Sequence, residues 1–330
     1  MEYRQLGKSE LKVSAGALGT WAIGGWMWGG TDDEAAVAAI RSAIDAGMTS
    51  IDTAPVYGFG HSEEVVGQAV KGKRDKVLLL TKYCLVWDKE EGEFFFECKD
   101  DRGLARRVYR LARKDSVINE CEQSLRRLGT DCIDLYQCHW RDPTTPVEET
   151  MEAMDRLLKA GKIRAAGVSN FTAEEIEACF SVFPLASDQP PYSMVKRDIE
   201  KDVLPWCREH KVGILAYSPL QLGLLTGKLT MDREFPADDQ RSGSPYFRPG
   251  NRRKVIEFAE QLRPIASAHG ATVAQLVINW TIRQPGITAA LVGARNPRQA
   301  AENAAAADLQ FGGEEIQQIE ELLAGLKLEG

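Results

Sequence analysis

The chain is poor in the residues that most often announce chemistry. Only four histidines occur in 330 residues, and no pair of them has metal-ligand spacing. The seven cysteines are an odd number and never form a C-x-x-C pair, so neither a disulfide framework nor a zinc site is indicated. Reduced, buried thiols fit a cytoplasmic protein, and a cytoplasmic location is expected. No apolar run approaches the roughly 18 residues of a membrane span, and Met1–Leu6 lacks the apolar core of a signal peptide. The net charge of −7 supplies no basic field, so neither nucleic acid nor an anionic membrane is the expected partner. Also missing are G-x-G-x-x-G after the first strand and G-x-S-x-G anywhere, which argues against a Rossmann domain and a serine-hydrolase elbow.

What is present is rhythm. After a short hairpin, with Tyr3–Leu6 and Leu11–Val13 around Gly7-Lys8-Ser9, apolar strand candidates alternate with helical periods. The strands end near Leu18, Asp52, Leu80, Cys138, Val168, Asp188, Tyr217 and Val292. Helices are expected near 34–46, 62–70 with Ser62 as cap, 115–128, 147–158, 172–180, 199–210, 252–268, 272–283, and from Pro297 onward. Eight such units predict a parallel sheet closed into a (β/α)8 TIM barrel, one α/β domain over residues 1–330. Two long segments interrupt the alternation, 83–114 and 218–250, and belong on the rim at the C-terminal ends of the strands. The first carries Phe94-Phe95-Phe96 and Arg102, Arg106, Arg107, Arg110, Arg113 and Lys114. It reads either as an inserted helix with a solvated basic face or as an anion-binding lid.

Polar residues recur where strands end: Asp52, Lys82, His139, Ser169-Asn170, Gln189 and Tyr217-Ser218, with Tyr57 just beyond Asp52. Each alone has an ordinary structural reading as a turn, cap or core residue. In a closed barrel they meet at one mouth. A free phenol ionises near 10, and an ammonium such as Lys82 beside Tyr57 is expected to lower that value. Asp52 would fix Lys82, and a neutral His139 would steer a carbonyl towards Tyr57. Leu291-Val292-Gly293-Ala294-Arg295-Asn296-Pro297 runs from a strand into a helix N-terminus, an anion site in waiting. Ser218-Pro219-Leu220 through Gly223 to Lys228 forms a small-residue belt ending in a cation.

These residues resemble the aldo-keto reductase superfamily along nearly the whole chain. Leu18-Gly19-Thr20-Trp21, Asp52-Thr53-Ala54 with Tyr57-Gly58, Thr81-Lys82, Asp134 to His139, Gly167-Val168-Ser169-Asn170, Tyr217-Ser218-Pro219-Leu220 and Gly293 to Asn303 match in order. The bacterial stress-response and inositol-operon branch is the most similar part of it, and potassium-channel β-subunits are more distant. The resemblance implies a tetrad of Asp52, Tyr57, Lys82 and His139, with Tyr57 as general acid, and NADP(H) lying across the rim. It places Thr20, Trp21 and Asp52 near the cofactor, Ser169, Asn170 and Gln189 on its carboxamide, and Tyr217 on the nicotinamide. Ser218, Pro219, Leu220, Gly223 and Lys228 would meet the pyrophosphate. Arg241, Gly293, Arg295, Gln299, Glu302 and Asn303 would hold the adenosine 2′-phosphate end. Trp21, Tyr57, Trp87, His139 and Trp140 would line the substrate pocket. Arg295 stands in place of the Lys-Ser pair of aldose-reductase-like members, so NADP is preferred and NAD remains possible.

The expected activity is hydride transfer between the nicotinamide and an aldehyde or ketone, or the corresponding alcohol or sugar. The alternative is an NADP-binding, redox-sensing regulatory subunit with slow turnover; the lack of an N-terminal extension for docking favours the enzyme. A metal-dependent sugar isomerase on the same barrel would need clustered ligands that the sequence lacks. The partner expected is a small molecule; oligomeric state is not legible.

Overall fold

The computed structural model describes residues 1–25, 27–28, 30–100, 102–236 and 239–329. An antiparallel hairpin opens the chain, β1 (Tyr3–Gln5) and β2 (Lys12–Ser14). Its Leu6, Leu11 and Val13 pack against Ala17, Leu80, Leu135, Leu215 and Ala289, which fill the barrel. The alternation then appears as β3 (Gly16–Gly19), α1 (Asp33–Asp45), β4 (Ser50–Asp52), α2 (His61–Val70) and β5 (Leu78–Tyr83). The inserted segment forms β6 (Leu85–Val86), β7 (Glu93–Lys99) and β8 (Ala105–Arg110). After it come α3 (Lys114–Leu128), β9 (Ile133–Cys138), α4 (Val147–Lys159), β10 (Ile163–Ser169), α5 (Ala173–Phe180) and β11 (Ser187–Gln189). The remainder is α6 (Val203–His210), β12 (Gly213–Tyr217), α7 (Pro249–Ala268), α8 (Val273–Arg283), β13 (Ile287–Gly293), α9 (Pro297–Ala305) and α10 (Gly313–Gly325).

Eight parallel strands close into a barrel in the order β10-β11-β12-β13-β3-β4-β5-β9. The strands are short, almost wholly buried and apolar on both faces, because one face fills the barrel and the other receives the helices. Period two then determines what points inward. Leu80 lies in the interior cluster and so does Leu135, which puts Lys82 and Gln137, two residues on, into the barrel mouth. These two are register partners on β5 and β9.

Four expectations need correction. The segment 83–114 is a three-stranded antiparallel sheet, not a helix. The spacing of its arginines mimics a helical face, but aromatic and β-branched neighbours favour strands. Four of its cations are also paired with its own carboxylates: Arg106 with Asp100, Arg107 with Glu90, Arg110 with Glu93 and Arg113 with Glu91. Ser62 is not a cap, since α2 starts at His61 after Gly60 and the Ser62 hydroxyl is buried. The helix expected over 199–210 divides into a 3-10 turn, Asp198–Glu200, and α6, which Asp202 caps. The helix opening at Pro297 stops at Ala305, and α10 follows separately.

Candidate active site

The barrel mouth gathers four titratable side chains from three neighbouring strands. Asp52 ends β4, Lys82 lies one residue from the end of β5, and His139 follows β9. Lys82 is fully buried, and its Nζ donates to Asp52 Oδ1 at 2.6 Å and to the Thr53 carbonyl at 2.9 Å. The same ammonium reaches the Tyr57 hydroxyl at 3.4 Å. His139 stands edge-on to the Tyr57 ring, centroids 5.8 Å apart, and Trp21 stacks on it at 5.9 Å. The loop bearing Tyr57 touches the loop bearing Trp21 because glycine occupies both contact points. A Cβ on Gly58 would lie 2.3 Å from the Gly24 carbonyl, and one on Gly24 would lie 2.7 Å from the Tyr57 backbone.

A second layer holds the first. Asp52 Oδ2 accepts from Gln189 Nε2 at 2.8 Å and from Gln137 Nε2 at 3.3 Å. Thr20 donates to the Asp52 carbonyl from both its backbone nitrogen and its hydroxyl, each at 3.0 Å. The Ser62 hydroxyl joins the hydroxyls of Thr20 and Thr53 at 2.8 and 2.9 Å. In the sequence Gln137 and Thr53 stand only within the matching motifs, and Ser62 only as an expected helix cap. The available signal was a polar residue at an inward position of an apolar strand, Ile133-Asp134-Leu135-Tyr136-Gln137-Cys138.

Burial dominates the ionisation of the group. It lowers the affinity of Lys82 for its proton, against the pull of Asp52. It also holds His139 well below the ordinary imidazole range, and the Lys82 charge adds to this, so the ring is neutral at physiological pH. Tyr57 departs from expectation. Burial pushes its phenol well above the usual value, and the Asp52 carboxylate pushes the same way. Burial and Asp52 outweigh the ammonium at 3.4 Å, whose charge Asp52 partly offsets. The resting site therefore presents a neutral phenol beside a paired ammonium.

Residues 17–324 match the aldo/keto reductase family. The chain belongs to that family. It is 44% identical over 302 residues to the aldo-keto reductase YhdN of Bacillus subtilis, covering 91% of this chain and 86% of that protein. It is 35% identical over 328 residues to the NADH-specific methylglyoxal reductase of Escherichia coli, covering 98% of each. Among solved structures it superposes on the glycerol dehydrogenase AKR11B4 from Gluconobacter oxydans with a TM-score of 0.88 at 40% identity, covering 99% and 96% of the two chains. An aldo-keto reductase from Klebsiella pneumoniae in complex with NADPH gives 0.72 at 34% identity, covering 98% and 96%. As an aldo-keto reductase, the protein is an oxidoreductase of carbonyl compounds that works with a nicotinamide cofactor.

The expected cofactor residues of this reductase fall into three groups. At the mouth, Ser169 donates to the Gln189 carbonyl at 2.7 Å, and Asn170 donates to the His139 carbonyl and to Ser169 Oγ, both at 3.1 Å. The Tyr217 hydroxyl donates to Asn170 Oδ1 at 2.8 Å, tying β12 to β10. Gln189 turns its side-chain nitrogen to Asp52, a commitment the sequence did not suggest. Beyond Ser218, Pro219 and Leu220, the backbone takes positive φ at Gln221, Leu222 and Gly223 (45°, 56° and 92°), a left-handed coil of the kind that gathers N–H groups around an anion. Farther on, Arg241 and Arg295 both lie over the Trp28 ring, at 5.2 and 5.7 Å, and Arg295 also donates to the Trp28 carbonyl. Burial and then the neighbouring Arg241 charge lower the proton affinity of Arg295, against the pull of Asp239. Arg241 is itself held by Asp239, whose carboxylate accepts from its Nε at 2.8 Å and its Nη2 at 2.5 Å.

Other members of the set are spent locally. Lys228 and Glu302, assigned to different parts of the cofactor, pair with each other at 3.0 Å. Gln299 accepts from the Arg295 backbone at 2.8 Å, and Asn303 donates to the Gly293 carbonyl at 3.0 Å, so both shape the turn into α9. Of the residues expected to line the substrate pocket, Tyr57 packs against both Trp21 and His139. Trp140 meets Phe95 of the inserted sheet at 5.3 Å, and Trp87 joins through Phe59 at 5.4 Å.

Proposed function

We propose that this protein reduces neutral aldehydes or hydroxyketones with NADPH, and oxidises the matching alcohols in reverse, with Tyr57 as the acid and base. The observation that carries the reading is the single ammonium, Lys82 Nζ, shared between Asp52 Oδ1 and the Tyr57 hydroxyl inside a buried mouth. The cofactor supplies hydride. Tyr57 donates its proton to the carbonyl oxygen, and Lys82 supplies positive charge as the phenolate forms. His139, neutral, donates a hydrogen bond that orients the same oxygen. Trp21, Trp140 and Phe95 exclude water. A neutral substrate is supported by the insertion, where four of the five arginines pair with its own carboxylates.

The cofactor is held by Ser169 and Asn170 at the carboxamide, Tyr217 at the ring, Ser218 to Gly223 at the pyrophosphate, and Arg241 and Arg295 at the 2′-phosphate. Two relatives suggest substrates, one named for methylglyoxal and one for glycerol. A panel of methylglyoxal, glyceraldehyde, dihydroxyacetone and para-nitrobenzaldehyde, each with NADPH and with NADH, tests the reading. Turnover with NADPH in preference to NADH is expected. Tight cofactor binding without turnover on any of them would favour the regulatory subunit instead.

A further inference from the structure

Gln137 has no part in the reading above, yet it is fully buried in the barrel mouth. Its side chain lies in a prepared space. The neighbouring residue on β10 is Gly167, whose missing Cβ would lie 3.2 Å from Gln137 Cγ and 2.6 Å from Ser187 Oγ. On the other side Gln137 is the register partner of Lys82. Its Nε2 donates to Asp52 Oδ2 at 3.3 Å, and its Oε1 accepts from Gln189 Nε2 at 3.3 Å. Gln189 Nε2 in turn donates to the same Asp52 oxygen at 2.8 Å. The two amides form a closed triangle with one carboxylate oxygen, leaving the other to Lys82.

We propose that Gln137 is a positioning residue for the reaction: by occupying Asp52 Oδ2 and bracing Gln189, it leaves Oδ1 as the only place for the Lys82 ammonium, which keeps that ammonium within reach of Tyr57. The inference rests on the functional reading given for Tyr57. Its physical basis is a choice between two equivalent oxygens. A carboxylate offers about four lone-pair sites, and an ammonium follows whichever oxygen lacks another donor. The Nζ to Tyr57 hydroxyl distance is already 3.4 Å, so a shift of Nζ towards Oδ2 would remove the phenolate's counter-charge.

The charged and titratable groups around this point are few. Lys82 comes from β5, Tyr57 from the loop after β4 and His139 from the end of β9. Glu63 of α2 acts on Lys82 from behind, held by Thr81 and Arg127, and Tyr217 of β12 feels Tyr57. Among the described residues, only the two amides donate to Asp52 Oδ2, and they decide how that oxygen is used.

The test is Gln137→Leu, which keeps the volume and removes the donor. The probes are para-nitrobenzaldehyde with NADPH and para-nitrobenzyl alcohol with NADP+, across the pH range, with cofactor affinity measured by fluorescence titration. Reduction needs the protonated phenol and oxidation the phenolate. Weaker support for the phenolate therefore moves both pH midpoints upward, by about one pH unit, the scale of one charge-assisted hydrogen bond. Cofactor affinity should stay within about twofold, well under the tenfold that 1.4 kcal/mol represents. Gln137→Met serves as a second variant if the leucine protein does not fold. A lower rate with unmoved midpoints in either variant would make Gln137 mere packing and overturn the inference. A native protein whose oxidation rate shows no rise with pH would instead sink the assignment of Tyr57, which separates the two failures.

Discussion

At the scale of single residues, the site works by burying charges that must then answer to one another. Lys82 is an ammonium with three donors and no exposure, and Asp52, the Thr53 carbonyl and Tyr57 take up those donors. The neutral phenol suits an acid that should release its proton only when a carbonyl oxygen is gathering charge. Tyr57→Phe removes the proton and the acceptor for one Lys82 donor but keeps the ring on which Trp21 stacks. Turnover should fall by about 10²–10⁴-fold, the range for a lost general acid, with the NADPH dissociation constant unchanged. Retained activity in a steady-state assay would exclude Tyr57 as the acid.

At the scale of elements, α3 does more than cover the barrel. Glu120 on its inner face is buried and accepts from the backbone of Cys84 at 3.0 Å, a residue just beyond β5 with φ of 87°. That carboxyl thereby secures the kink between the Lys82 strand and the inserted sheet. Burial raises the Glu120 carboxyl to about 8. A folded value above the unfolded one of about 4.3 means stability is fully present at acid pH, erodes above that value and is lost as pH rises through about 8. Glu120→Gln, isosteric and uncharged, should melt several degrees higher than the native protein at alkaline pH and nearly equally at about pH 4, below the unfolded value. Melting curves across pH decide it; equal slopes in both proteins would refute the assignment. The inserted sheet shows the converse case, where local pattern misleads. Its arginine spacing fits a helix, but its charges are satisfied across strands and its aromatic rings need the rim to pack on.

At the scale of the whole molecule, the proposed cofactor groove is made by distant segments meeting. Trp28 from the β3–α1 loop, Arg241 from the loop before α7 and Arg295 from the loop after β13 converge though more than 200 residues separate the outermost. If they hold the 2′-phosphate, Arg295→Ala should weaken NADPH by about 10-fold or more, the value of one charge-assisted contact, and NADH far less. Isothermal titration with both cofactors measures this, and equal weakening would displace the phosphate from these guanidinium groups.

What the residues determined by themselves is the barrel and its tetrad. Eight buried strands with helices between them admit few closures, and the acid, phenol, amine and imidazole sit at strand ends, where period two and barrel closure leave little freedom. What only the tertiary structure decided is how those groups are used. The phenol is raised rather than lowered because burial and Asp52 outweigh a neighbour whose charge is partly offset. Gln189 and Gln137 turn to the same carboxylate oxygen, Ser62 gives up a cap for a buried hydroxyl chain, and four arginines of the insertion pair with its own carboxylates. Each of these depends on a distance between segments far apart in the chain, and such distances are set by packing, which local pattern does not encode.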